Sequence, residues 1–460
     1  MKNKFIGAVV LTILAASCQV TKPYQRPELT TQGLYRGESS QDTISVASIS
    51  WKQFFPDTAL TQLITRGLEQ NPDLRIAMQH IVAAKASLQL SKSAFLPDLN
   101  GTLSVKQSKL AFPQGFGIIS STTQYDLGLG SSWEADIWGK LRSAKRGALA
   151  GLLRTEEARK AIRTELIADI AGNYYTLLVL DQQLAILEKT KKNRFADVKA
   201  VTMLKEANIL NGAAISQSEA NAYAAEIAIP ALKNQIRETE NALNLLLGQP
   251  SGAVTRTTLD QQKANIPLKT GVPSQLLQNR PDVKQAEYAL WEAFENTNVA
   301  KTFFYPALTI TANGGFTSFN FQDWLTSLGL FGNVAAGLTQ PIFNRGANKA
   351  RLATAKARQE QAAIELQKSM LIAGREVSDA LYAYETAGEQ REIRVKQLAS
   401  LAKAVDANRK LLRFSSTTNY TDVLTSEQNL LAAELDAVND RHRQWLAVIR
   451  LYHALGGGTR

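Results

Sequence analysis

The stretch RPDVKQAEYALWEAFENTNVAKTFFYPALT, Arg280 to Thr309, has a counterpart 209 residues earlier in NPDLRIAMQHIVAAKASLQLSKSAFLPDLN, Asn71 to Asn100. Each begins with Pro-Asp, continues for more than twenty residues without Gly or Pro, and closes on an aromatic residue, a proline and a leucine. The correspondence extends further. ISQSEANAYAAE from Ile215 matches VLTSEQNLLAAE from Val423, and LNLLLGQ from Leu243 matches LYHALGG from Leu451, both at an offset of 208. Three separated matches at offsets of 208 and 209 indicate two copies, 57–248 and 275–457. A period this long lies far outside the solenoid repeats. It implies a duplicated domain whose halves lie side by side.

Both copies are dominated by helix. Helix is expected from Asp57 to Lys92 with a break at Pro72, and again from Gly346 to Phe414 and from Tyr420 to Leu455. Between Gly346 and Phe414 there is no proline, and Ala, Leu, Glu, Gln, Lys and Arg prevail, all strong helix formers. Alanine fills much of the apolar stripe, as in ARLATAKARQEQAAIELQ. Such long helices need helical neighbours in water, so coiled-coil packing with a reversal is expected. LVLDQQ at Leu178 and YETAGEQ at Tyr384 are the expected turns, with Gly388 as marker.

Four short segments show a different period. Leu99, Leu103 and Val105 share one parity, as do Tyr125, Leu127, Leu129 and Trp133. In the second copy Leu308, Ile310 and Phe316 do the same, followed by Leu330, Val334 and Leu338. Period two indicates strands with one apolar face, placed at 98–108, 123–133, 307–317 and 330–341. A membrane-crossing strand needs about 9–11 residues with its apolar side toward lipid. Four strands cannot close a barrel, and an open edge in lipid leaves backbone groups unsatisfied. The segments therefore either join those of other chains, three chains supplying twelve strands, or form a small sheet capping a soluble helical bundle.

The ends and linkers add an address. MKNKFIGAVVLTILAASC carries Lys2 and Lys4, an apolar core and small residues up to Cys18, the layout of a secretory signal over residues 1–17. Cys18 is the only cysteine, so an intrachain disulfide is impossible. Its place directly after LAAS favours a lipid-modified N-terminus. The segment resembles a bacterial lipoprotein signal, except that Ala15 stands where leucine is usual. Residues 18–56 read as a lipidated tether, 249–274 as a linker between copies, and 458–460 as a tail. The chain of 460 residues is 45% hydrophobic and 20% charged, with a formal charge of +11 spread along the helices. No arginine-rich block marks a nucleic-acid footprint. Beyond the leader, no apolar run reaches the length of a membrane helix.

Catalysis finds no constellation. The three histidines, His80, His442 and His453, and a lone cysteine do not provide zinc-ligand spacing. No Gly-rich strand-to-helix signature for a nucleotide occurs, so neither cofactor nor metal is expected, and the chain reads as a non-enzyme.

Nine motifs in order, including YQRPEL, FLPDLN, WEADIWGKLRSA, NRPDVKQAEYAL, LTQPIFNRG and LYHALGGG, resemble the outer membrane factors. These are the TolC-like channel proteins of bacterial efflux and type I secretion, and the likeness is strongest to the OprM/CusC-like lipoprotein branch. The resemblance implies a mainly α protein with a transmembrane β-barrel. A homotrimer would share a twelve-stranded barrel, four strands per chain, above a long periplasmic α-helical barrel. Each copy would supply two strands and one helical hairpin, with long helices starting near Gly139 and Gly346. The breaks at ILNGAAIS and RFSSTTNY would lie at the tunnel's equator. The implied partners are a periplasmic adaptor, an inner-membrane resistance-nodulation-division pump and outer-membrane lipid in a Gram-negative cell. Passive efflux of drugs is the expected activity. Copper or silver efflux and protein secretion stay open as cargo, and a lipid-anchored helical structural or adhesion protein is the non-transport alternative. By alignment, a periplasmic gate would fall near Leu180–Glu188 and Asp379–Arg394. Its candidates are Asp181, Asp379, Glu385, Glu389, Arg391 and Arg394, although a charge near a helix turn is ordinarily a solvated cap.

Overall fold

The computed structural model describes residues 20–28, 34–36, 49–109, 121–262, 276, 278–414 and 420–458. Cys18, part of the tether and residues 263–275 of the linker lie outside the described residues. The helices are α1 (Trp51–Phe54), α2 (Thr58–Gln70), α3 (Pro72–Ser93), α4 (Lys140–Glu206), α5 (Gly212–Leu246), α6 (Pro281–Thr302), α7 (Ala347–Phe414) and α8 (Tyr420–Ala454). The strands are β1 (Asp98–Lys109), β2 (Ser121–Ala135), β3 (Ala307–Ser318) and β4 (Leu330–Thr339).

The duplication is explicit in the elements. α3 and α6 each have 22 residues, β1 and β3 each 12, and α5 and α8 each 35, while α4 and α7 have 67 and 68. The same joint is built in both copies. Asn71 Nδ2 donates to the Leu246 carbonyl over 2.9 Å, and its counterpart Arg280 donates through Nη1 to the Ala454 carbonyl over 2.8 Å. Each bond satisfies an orphan carbonyl at a helix C-terminus. Directly beyond, Gly248 and Gly456 adopt φ of +65° and +78°. A Cβ on Gly248 would lie 2.5 Å from the Gln70 carbonyl oxygen, and one on Gly456 2.6 Å from that of Asn279. Left-handed backbone and close approach together leave room only for glycine.

Contacts divide the chain into two compact units. One comprises Met1–Glu28, His80–Glu156 and Gln285–Leu366, and the other Leu29–Gln79, Glu157–Lys284 and Gln367–Arg460. The first contains the sheet, an antiparallel meander in the order β1-β2-β3-β4. Near it, Tyr24 packs on Trp291 and Phe294, with ring centroids at 5.8 and 5.5 Å, and Arg26 pairs with Glu287 at 2.7 Å. The tether thus packs on α6.

The second unit holds the main core, where Tyr175 stacks on Trp445 at 4.2 Å and Phe54 on Tyr452 at 4.2 Å. Full burial of such side chains contributes roughly 1.5–3 kcal/mol each. Asp57 ties the core to its surroundings. It caps α2 through Ala59 N at 2.8 Å and accepts from Tyr174 Oη at 2.7 Å, Thr257 Oγ1 at 2.6 Å and Gln262 Nε2 at 2.6 Å. Burial alone would raise its pKa, but these donors prevail and lower it.

The expected turns at Leu178–Gln183 and Tyr384–Gln390 are not turns. α4 and α7 run through both without interruption. Gly388 stays helical, with open space around it; one glycine costs only about 1 kcal/mol against alanine in a helix, too little to break 68 residues of helix formers. The reversals lie where equatorial breaks were expected. After Glu206 the chain turns with Asn208 at φ 58°, and Asn211 caps α5 through Ala214 N at 3.1 Å. Lys191–Glu226 and Lys233–Glu188 pairs, at 2.7 and 3.5 Å, make α4 and α5 an antiparallel hairpin. Arg394–Asp440 at 2.8 Å and Arg409–Glu427 at 2.7 Å do the same for α7 and α8. ILNGAAIS is therefore a hairpin end, whereas residues 415–419 of RFSSTTNY, between the antiparallel α7 and α8, lie outside the described residues.

Candidate functional site: the sheet faces and the hairpin ends

Strand register sorts the side chains of the sheet into two faces. Leu103 pairs with Leu127, Leu127 with Phe316, and Phe316 with Leu330. Further toward the helices, Ala312 pairs with Val334 and Leu308 with Leu338. These rows form one continuous apolar face, and it is bare: Leu103 is 70% exposed and Val334 77%. The opposite face carries hydroxyls, amides and glycines. On it Asn313 bonds Asn333 at 3.3 Å, and Asp126 accepts from Thr317 at 2.6 Å.

Aromatic side chains mark both ends of the strands. Tyr125, Phe321 and Trp324 cluster at the β3–β4 turn, with centroids 5.4–6.0 Å apart. At the helix end, Trp138 lies 5.1 Å from Tyr305. Trp133, Trp138 and Trp324 donate their indole N–H groups to the carbonyls of Phe95, Pro306 and Phe316. An apolar band between two aromatic clusters is the pattern that lipid-facing strands carry. The period-two signal placed the strands, and the clusters were visible in WEADIW, FFYP and FTSFNFQDW but were not read as such. Among the described residues, no helix is long and apolar enough to cross a membrane.

The hairpin ends hold a buried ionic cluster. Arg194 and Glu427, 6% and 8% exposed at the side chain, form a direct pair joining α4 to α8. Arg409 of α7 bonds the same carboxylate at 2.7 Å and approaches Asp197 at 3.8 Å. Burial, then the neighbouring Glu427 charge, push the Asp197 carboxyl above its usual range. The four groups thus join three helices near the reversal. Sequence reading missed them, though Glu427 stood inside the repeated motif VLTSEQNLLAAE; a charge in a buried stripe was the available signal.

The six gate candidates are not brought together. Asp181 pairs with Arg256 at 2.5 Å, and Arg256 also holds Glu240 at 2.5 Å. The bond to Asp181, with Glu240 behind it, raises the Arg256 pKa. Arg394 staples α7 to α8 through Asp440 at 2.8 Å and Asp436 at 3.2 Å. Asp379 is exposed, 3.9 Å from Arg375 on its own helix. Glu385, Glu389 and Arg391 point to solvent from the continuous α7. Asp379 lines a cleft of about 610 Å³ with Glu165, Asp169, Glu376 and His453. There His453 Nε2 contacts Glu165 at 2.7 Å, and that bond lowers the Glu165 pKa. No cluster of metal-ligating side chains occurs among the described residues.

Comparison with known proteins agrees with this geometry. The family profile described as outer membrane efflux protein matches residues 63–249 and 272–457, the two copies read from the duplication. The solvent efflux pump outer membrane protein SrpC of Pseudomonas putida is 30% identical over 478 residues, covering 100% of this chain and 99% of its own. The cation efflux system protein CusC of Escherichia coli is 28% identical over 462 residues, covering 99% and 98%. A crystal structure of CusC superposes with a TM-score of 0.85 at 28% identity, covering 96% of this chain and 100% of that one. With two duplicated strand-and-hairpin units, an uncovered lipid-compatible sheet face and a profile match over both copies, the chain belongs to the outer membrane efflux protein family.

Proposed function

We propose that this protein is the outer-membrane channel of a tripartite efflux system, passively conducting cargo from an inner-membrane resistance-nodulation-division pump and a periplasmic adaptor to the exterior. Three copies close one twelve-stranded barrel and continue it as a helical tunnel in the periplasm. The observation that carries this reading is the bare apolar sheet face between aromatic clusters, with both sheet edges unpaired among the described residues. An exposed edge in lipid is forbidden energetically, so the sheet needs copies of itself. A lipid-anchored structural protein has no use for such a face. Native mass spectrometry in mild detergent should give a trimer, and planar bilayers should show discrete conductance; a stable monomer that conducts would refute the shared barrel.

Cys18 carries lipid and begins the mature chain. Acyl groups on that residue by mass spectrometry are the expected result, and an unmodified N-terminus elsewhere would overturn it. Cys18→Ala should weaken anchoring while the barrel still holds the protein in the membrane.

The resting closure is placed at the hairpin ends, and the six residues first considered stay candidates for contacts between copies. A helix of 67 residues spans roughly 100 Å, and its hairpin end is the one opposite its strand. Arg194, Asp197, Arg409 and Glu427 join three helices there. Cargo has two supported classes, because similarity extends both to a solvent efflux protein and to a cation efflux protein. Four methionines in the chain provide little soft-metal chemistry, which favours organic cargo.

A further inference from the structure

The polar face of the sheet consists of hydroxyls, amides, glycines, a few charges and the small side chains of Ala307 and Ala335, with one large exception. Phe331 is the single aromatic residue of that face among the described residues. Its backbone pairs with Gly315, and Gly315 pairs with Gly128. A Cβ on Gly128 would lie 4.0 Å from Phe331 Cζ. The ring therefore leans from β4 over β3 toward β2, along the wall instead of standing up from it. Gly315 must be glycine there, since a Cβ would come within 2.1 Å of the Leu127 carbonyl oxygen. No side chain separates ring from backbone, and Phe331 keeps 38% of its surface exposed. The lean is away from the free edge of β4, so a strand added at that edge leaves the ring uncovered.

Asp126 lies two residues from Gly128 on the same face, roughly 7 Å along the strand. Its carboxylate is held by Thr317 Oγ1 at 2.6 Å, Gln124 Nε2 at 3.0 Å and Ser104 Oγ at 3.4 Å. All three hydrogen-bond donors are neutral and fix the carboxylate in place, while Lys106, one row away on the same face, already acts on it as a cation. An aromatic face attracts a cation through its quadrupole, and the carboxylate one row away, shared with Lys106, adds counter-charge.

We propose that Phe331 and Asp126 form a weak subsite for organic cations on the inner wall of the barrel, repeated once per chain. The proposal rests on the channel reading, which makes this face the lumen. Weak, repeated sites suit conduction, which requires entry to be favourable and exit to stay easy.

The test is ligand-observed saturation-transfer NMR on the full-length lipidated protein in bicelles, with benzyltrimethylammonium as probe and benzenesulfonate as the control of opposite charge. Wild type should transfer saturation to the ring protons of the cation and not to those of the anion. Phe331→Ala and Asp126→Asn should each weaken the apparent affinity for the cation roughly two- to fivefold. Phe331→Leu keeps an apolar cover on the glycine wall and decides the matter should the alanine variant fail to assemble; it too should lose affinity. Equal affinity in wild type, Phe331→Leu and Asp126→Asn, or equal signal from cation and anion, would overturn the subsite and leave Phe331 as a cover for glycine. Absence of conductance would instead strike the channel reading, because the binding measurement requires no current.

Discussion

Arg194→Met tests whether the buried ionic cluster holds the two hairpins together. In the wild type the Glu427 carboxylate faces Arg194 and Arg409, with Asp197 3.8 Å from Arg409. Removing Arg194 leaves two carboxylates sharing one guanidinium whose side chain is 44% exposed. A hydrogen bond to a charged group contributes about 1.5–3 kcal/mol, and breaking a fully buried pair costs about 3–5 kcal/mol. Since Arg409 remains and water can follow it in, a loss of about 2–3 kcal/mol is expected, roughly a 30- to 150-fold change in local opening. Hydrogen exchange followed by mass spectrometry reads this directly. Amides over 188–206 and 420–432 should exchange faster by that factor, while those of β2 and β3 stay unchanged. Asp197 adds a pH signature. Its folded pKa lies above the unfolded one, so its protonated form favours the fold; that contribution is complete below the unfolded value and is lost as pH rises through the folded value. Lowering the pH toward the folded pKa of Asp197 should therefore recover part of the loss in Arg194→Met. Unchanged exchange at the hairpin ends, or equal acceleration in the sheet, would refute the reasoning.

Asp57→Ala removes a helix cap and the shared acceptor of Tyr174, Thr257 and Gln262, so it should cost about 2–4 kcal/mol in denaturant unfolding. Because the Asp57 pKa is lowered in the fold, its stabilisation is present above the unfolded value of about 3.9 and fades as pH falls through the folded value; wild type and Asp57→Asn should converge in stability in that acid range. Gly456→Ala forces a Cβ to within 2.6 Å of the Asn279 carbonyl at φ +78°, and should lower thermal stability by about 1–3 kcal/mol, whereas Gly388→Ala, in open space, should be neutral or stabilising. Val334→Arg, on the bare apolar face, should cost about 2–4 kcal/mol in barrel insertion, while Asn333→Arg on the opposite face should insert normally and change only ion selectivity. Equal insertion of these two variants would show that the assignment of faces is wrong.

Periodicity and repetition were legible in the residues alone. The alternation at Leu99, Leu103 and Val105 located β1, because a period of two has one physical cause, and the strands came out at 98–109, 121–135, 307–318 and 330–339. The Pro-Asp starts and the match of LNLLLGQ to LYHALGG were legible as repetition, whereas the left-handed backbone that requires Gly248 and Gly456 came from the structure. What the residues could not reveal was where the long helices turn. Gly388 looked like a break because glycine is weak in helices, yet its cost is small beside 68 residues of cooperative helix, and the true reversal falls at ILNGAAIS, whose break was read but assigned to the equator. Partners were equally hidden. Arg394 meets Asp440, Asp181 meets Arg256, and Arg194 meets Glu427, pairs that depend on which helix faces pack together. A charge beside a solvated turn and a charge locked between helices are spelled with the same residue, and only packing distinguishes them.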